Sequence, residues 1–231
     1  MAVARLTEHL FAGTSDDPLA ADVAGWLAGS ARFRAFAETN RDKIRKKLRG
    51  AADPDARRDV RLELHAAQLL LADRRIELVF EAYGARAVGP DFTVTYGGER
   101  SFNLEVTRLR RAPEAATYGG PLLPKLRQLP PGVPNALLIA IDADDAAAFD
   151  VAGATRALRA RADRKDEAFF SGRGFRGTRD FYDRFLRLGA VLVWSEEAVG
   201  DARATLWTNR SARIALPPRA ARACLACLRA G

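Results

Sequence analysis

Two alternating runs flanking a diglycine constrain this chain more than any other feature. Residues 89–96 read Gly-Pro-Asp-Phe-Thr-Val-Thr-Tyr, residues 100–107 read Arg-Ser-Phe-Asn-Leu-Glu-Val-Thr, and Gly97-Gly98-Glu99 lies between them. Strict alternation of apolar and polar residues marks half-buried strands, and the diglycine marks a hairpin. Phe92, Val94 and Tyr96 share one face and must meet Phe102, Leu104 and Val106. A two-residue Gly97-Gly98 loop would set Val94 against Ser101, whereas a three-residue loop closing on Tyr96 and Arg100 keeps the apolar faces together, because a one-residue slip turns every side chain over. In that register Thr95 faces Ser101, Thr93 faces Asn103 and Asp91 faces Glu105. Like charges across a strand pair, with Cβ atoms roughly 5 Å apart, are unfavourable, by about 3 kcal/mol at an effective dielectric near 20. A sheet tolerates the pair if one carboxylate is protonated or if a divalent cation lies between them. The cation is the more specific expectation, since Mg²⁺ takes carboxylate oxygens and water.

The flanking segments extend the pattern. Asp59–Asp73 is helical by its stripe Val60, Leu64, Ala67, Leu71. Glu63 sits one helical step off that stripe, at its edge, within reach of the sheet. A strand is expected over Ile76–Tyr83, then the hairpin, then a helix over Pro121–Leu129 with proline at its first position. Residues 136–141, Ala-Leu-Leu-Ile-Ala-Ile, form the continuous apolar run of a buried strand.

This order of helix, three strands, helix and strand, with Glu63, Pro90-Asp91 and Glu105-Val106-Thr107, resembles the PD-(D/E)XK nuclease superfamily over residues 59–142. The resemblance implies an α/β fold with a restriction-endonuclease-like α-β-β-β-α-β core and a mixed sheet. It also implies Mg²⁺ (or Mn²⁺) held by Glu63, Asp91 and Glu105, and hydrolysis of phosphodiester bonds in DNA. The family usually carries lysine where this chain has Thr107, and a neutral hydroxyl supplies no positive charge. Arg108 points to the opposite face by strand alternation. Lys125 and Gln128 share a face of the following helix, and some family members carry the basic or amide group there. Lys125, supported by Gln128, is therefore the expected replacement.

Each residue also has a purely structural alternative. Glu63 can be a helix-surface carboxylate paired with Arg58 or Arg61. Asp91 can cap the turn after Gly89-Pro90. Glu105 can pair with Arg100 or Arg108, and Lys125 and Gln128 can be solvated. An inactive nucleic-acid-binding module, or an interaction domain with a structural acid cluster, is the alternative to an enzyme.

At 231 residues and 48% hydrophobic, the chain can bury a full core as one elaborated domain. It divides into a helical extension (1–50), the nuclease-like core (59–142) and C-terminal helices and added strands (143–231). No apolar run approaches a membrane span and the N-terminus has no apolar core of signal type, so the expected setting is cytoplasmic, with no membrane partner. The net charge of +8 invites a nucleic-acid partner, DNA above all, and a homodimer is compatible with it. Only five of the 37 basic residues are lysines, so heavy arginine use is general and its distribution matters more. Arg41, Arg45 and Arg49 form a column at i, i+4, i+8, with Lys43, Lys46 and Lys47 beside it. One helix, N-capped by Ser30, is expected to carry this face and the core stripe Phe33, Phe36, Ala37, Ile44, Leu48. Arg41, Arg45, Lys46 and Arg49 are candidate phosphate contacts.

Asp16-Asp17-Pro18 opens a helix through Trp26. Gly50–Pro54 is a link, and Leu62 and Leu69 project from the back of the following helix toward the N-terminal extension. Residues 144–168 are helical, with Asp142, Asp144 and Asp145 as caps. Residues 171–177, Ser-Gly-Arg-Gly-Phe-Arg-Gly, match G-x-G-x-x-G, but no strand precedes them as dinucleotide binding requires. They read as a mobile basic loop, capped by Thr178 before a helix over Arg179–Leu188, whose Arg173, Arg176 and Phe175 are candidates for touching nucleic acid. Strands follow at Ala190–Trp194 and Ala204–Trp207, and a helix begins near Pro217-Pro218. Cys224 and Cys227 lie in that helix as small apolar packing residues, and no second cysteine pair exists to complete a metal site.

Overall fold

The computed structural model describes residues 1–11, 17–82, 89–109, 122–141, 149–198 and 203–231. The expectations placed on Asp16, Tyr83, Pro121, Asp142, Asp144 and Asp145 lie outside these residues. The chain is α/β. Four helices, α1 (Val3–Phe11), α2 (Pro18–Gly29), α3 (Ala31–Thr39) and α4 (Arg41–Gly50), precede α5 (Pro54–Leu70). Next come β1 (Ile76–Phe80), β2 (Phe92–Tyr96), β3 (Phe102–Arg108), α6 (Leu122–Leu126) and β4 (Asn135–Ala140). Then follow α7 (Val151–Asp163), α8 (Glu167–Ser171), α9 (Thr178–Phe185), β5 (Leu188–Trp194), β6 (Ala204–Thr208) and α10 (Pro218–Ala230).

The six strands form one sheet in sequence order. β1, β2 and β3 pair antiparallel, β3–β4–β5 run parallel, and β6 returns antiparallel to β5. Both parallel steps are bridged by helices, as a parallel crossover requires. Alternation sorts the central strands onto two cores. Leu104, Val106, Leu138 and Leu192 face the layer of α1–α5 and α10. Leu137, Ile139, Val191 and Val193 face the layer of α6–α9.

The hairpin keeps the expected register, with Phe92 opposite Leu104, Thr93 opposite Asn103 and Val94 opposite Phe102. Across the polar face the Thr95 and Ser101 hydroxyls meet at 2.7 Å. Gly97 and Gly98 both take the left-handed backbone (φ 54° and 75°) that side chains resist, in the turn that the Glu99 N–H closes on Tyr96 O.

Several boundaries differ from expectation for local reasons. α5 starts five residues earlier than Asp59, because the Asp53 carboxylate accepts from the Ala56 N–H and Pro54 fills the first turn. The single helix expected from Ser30 to Arg49 is two. Asn40 departs from helical geometry, and its side-chain amide donates to Phe36 O at 2.8 Å, closing α3. β1 ends at Phe80, where Glu81 turns left-handed (φ 46°). The helix expected over residues 144–168 is, among the described residues, α7 and α8, parted at Lys165 (φ 56°). α9 begins at Thr178 and ends at Phe185, and Leu188 opens β5. Thr178 is not the cap: its N–H and hydroxyl both donate to the Glu167 carboxylate. Phe175 is buried against Phe170 and Phe181 and is no surface contact. Leu69 meets the C-terminal end of α10, so the back of α5 is covered from that side as well as by the N-terminal helices.

β1 is an outer strand. Its odd-numbered residues bond to β2, since Arg75 O accepts from Gly97 N–H and Glu81 N–H donates to Asp91 O. The backbone groups of Ile76 and Phe80 therefore point outward. Arg32 of α3 donates to Ile76 O, and Lys43 of α4 donates to Phe80 O at 2.7 Å.

Candidate functional site

β2 stops pairing with β3 at Phe92, although β3 continues to Arg108 beside β4. Just beyond the ladder, Asp91 replaces the missing strand. Its Oδ2 accepts the Val106 N–H at 2.8 Å. Glu105 lies on the polar side of β3, and α5 brings Glu63 toward the same place. The three carboxylates line one cavity of about 740 Å³, together with Thr107, Arg108 and Lys125. Expected partners among the acids, Glu63, Asp91 and Glu105, are thus brought together with Lys125.

The cations that meet these acids come from both faces of the sheet. Lys125 of α6 donates to Glu105 Oε1 at 2.6 Å. Lys47 of α4 contacts Glu63 Oε2 and lies 3.2 Å from Asp91 Oδ1 and 3.5 Å from Glu81 Oε1. The left-handed turn at Glu81 presents that third carboxylate. Ile44 and Leu48, buried on α4, fix the helix that delivers Lys47. The sequence places Lys47 beside the arginine column of a basic helix, with no site role. Helical spacing sets Arg45 about 160° around the axis from Lys47, so the arginine column and the site lysine occupy different sides of α4. That angular separation was available in the sequence, but nothing local tied α4 to the end of β1.

Burial raises the pKa of Glu63 well above the carboxylate range, and the Asp91 and Glu105 charges push it further, against the pull of Lys47. Glu105 is raised likewise by burial and by Asp91, with Lys125 opposing. Burial would lower the pKa of Lys47, but Glu63, Asp91 and Glu81 outweigh it and the net shift is upward. The pocket therefore favours retained protons.

Other expected residues lie elsewhere. Gln128 is exposed in the turn after α6 and does not line the cavity. Arg41, Lys46 and Arg49 are exposed on α4, while Arg45 is half-buried. Arg173 is exposed over the Phe169 ring, and Arg176 is exposed beside Asp180, which accepts its N–H. Arg108 points toward α5, as alternation requires, and pairs with Asp55 at 2.7 Å and Asp59 at 3.4 Å. Arg61 pairs with Asp22 and Glu196, and Glu196 also meets His65. Cys224 and Cys227 are buried free thiols in α10.

By donor type, three carboxylates suit a hard cation. Among the described residues no three His, Cys, Asp or Glu side chains form a group that could hold a metal, and ammonium or N–H groups lie on oxygens of Glu63, Asp91 and Glu105. Among the described residues no helix is long and apolar enough to cross a membrane. No protein-family model, curated protein or solved structure matches the chain.

Proposed function

We propose that this chain is a nuclease-like phosphodiesterase of restriction-endonuclease-like fold that acts on DNA with Mg²⁺ or Mn²⁺. The observation that carries this reading is the gathering of Glu63, Asp91, Glu105 and Lys125 in one cavity. Glu63, Asp91 and Glu105 would hold the cation. Bound there, the metal would lower the pKa of a water and offset charge on a phosphate. The protein's own contribution is orientation and charge. Val106 fixes the Asp91 carboxylate through one oxygen. Lys125, held at Glu105 in the cavity that Thr107 also lines, would supply the positive charge that the family's motif takes from its lysine and would counter negative charge that grows on the phosphate.

A second reading is favoured by the pairing of all three acids in this structure. A carboxylate cluster already paired with Lys47 and Lys125 also suits a non-catalytic nucleic-acid-binding module. Incubation with supercoiled, linear and single-stranded DNA in Mg²⁺ or Mn²⁺ separates the two. Cleavage that is lost in Asp91→Ala supports the enzyme. Salt-sensitive binding without cleavage of any of these substrates supports the module.

A further inference from the structure

We propose that Lys47 is a built-in counter-ion that keeps the acidic pocket closed to divalent cations until a phosphate-bearing ligand draws its ammonium away. This rests on the reading of the pocket as a cation site. Lys47 joins carboxylates from three separate elements: Glu63 of α5, Asp91 before β2 and Glu81 after β1. An ammonium has three donors and no acceptor, and here three carboxylates surround it. The second oxygen of Asp91 is already taken by Val106 N–H. A cation that bridges Glu63 Oε2 and Asp91 Oδ1 therefore competes with the Lys47 ammonium for the same two oxygens. Lys125 does not compete in this way, because it engages Glu105 from the opposite face of the sheet.

The latch can open without unfolding anything. α4 is anchored by Ile44 and Leu48, whereas the Lys47 side chain is 25% exposed and passes over the Phe80 ring. Rotation about its flexible stem carries the ammonium toward solvent while α4 stays in place. A phosphate at the mouth of the cavity offers that ammonium a new partner and leaves Glu63 and Asp91 to the metal. Each ligand then strengthens the binding of the other, and by linkage the two enhancements are equal.

The test is Mn²⁺ binding, followed by the electron paramagnetic resonance of free Mn²⁺, to wild type, Lys47→Met and Lys47→Arg. Lys47→Met should bind Mn²⁺ about tenfold or more tightly than wild type, whereas Lys47→Arg, which keeps the charge, should not. Equal or weaker binding by a folded Lys47→Met protein overturns the proposal. A measurement on wild type alone covers the case in which that variant does not fold. Mn²⁺ at fixed ionic strength should tighten the anisotropy Kd of a fluorescent single-stranded oligonucleotide, and Glu63→Gln with Asp91→Asn should abolish the gain. An oligonucleotide Kd indifferent to Mn²⁺ also overturns it. Neither readout uses cleavage. Tighter Mn²⁺ binding by Lys47→Met without any DNA cutting keeps the latch and removes the nuclease. DNA cutting with Mn²⁺ affinity indifferent to Lys47 does the reverse.

Discussion

The Asp91 carboxylate accepts the backbone N–H of Val106 at 2.8 Å, at the point where the β2–β3 ladder ends. One residue thus closes a strand with one oxygen and turns the other toward Lys47. Asp91→Asn retains an acceptor for Val106, and Asp91→Ala does not. Both should abolish DNA cleavage. The alanine variant should lose about 1.5–3 kcal/mol of stability, the range for a hydrogen bond to a charged group, and the asparagine variant less, since its amide keeps the Val106 bond but not the acceptor for Lys47. Paired cleavage assays and urea melts check this.

Lys125→Ala should lower cleavage about 100-fold, comparable to removal of one preorganised donor at a developing charge. It should leave Mn²⁺ affinity undiminished, because an ammonium is no ligand. The unpaired Glu105 should cost about 1–2 kcal/mol, less than a fully buried pair because Lys125 is 23% exposed. Glu105→Gln in the same background should recover that stability, as read by thermal melts.

The raised pKa of Glu63 sets a pH dependence. The folded state holds this proton to a higher pH than the unfolded chain, so it binds more protons between the two values. Stability therefore falls as pH rises from the ordinary carboxylate range toward the raised value. Glu105 acts in the same direction. Lys47 is shifted upward too, so its contribution persists to the ordinary lysine range and is lost only above it. Urea midpoints measured between about pH 5 and 8 should decline less steeply in Glu63→Gln than in wild type.

Arg41 and Arg49 are exposed on the side of α4 that carries the arginine column. If that column contacts a DNA backbone, replacing both by Ala should reduce the slope of log affinity against log salt by about 2, close to one released counter-ion per contact. Anisotropy titrations at several salt concentrations measure the slope. An unchanged slope removes the column from the interface.

Phe175→Ala should behave as a core truncation, at a cost of about 3–5 kcal/mol, because the ring is buried with Phe170 and Phe181. DNA affinity per folded molecule should not change. Denaturation curves and binding isotherms, taken on the same preparation, check both halves.

The register of the hairpin was readable from sequence because alternation has a period of two and tolerates no slip. Asp91 and Glu105 followed from it, while the buried strand β4 was legible separately, from the continuous apolar run of residues 136–141. What the pattern did not contain was the end of the ladder, where a side-chain carboxylate displaces strand pairing. Lys47 was invisible as a site residue for a related reason. Its position depends on how α4 lies against β1, and its helix carries five other Lys or Arg residues with the same local look. The break at Asn40 rests on one amide reaching Phe36 O, and the burial of Phe175 on an aromatic cluster assembled from α8 and α9. Such contacts have no local periodicity to betray them.

The side chains of Arg32 and Lys43, seated on the outward carbonyls of Ile76 and Phe80, have a consequence for how copies of this protein meet. An outer strand with free carbonyls is a template for a strand from another molecule. Here two of its acceptors are already spoken for by long cationic arms, which would also repel the same arms on a second copy. Sheet-to-sheet joining at β1 would require both to let go, so crowding alone should not drive fibre-like stacking through this border.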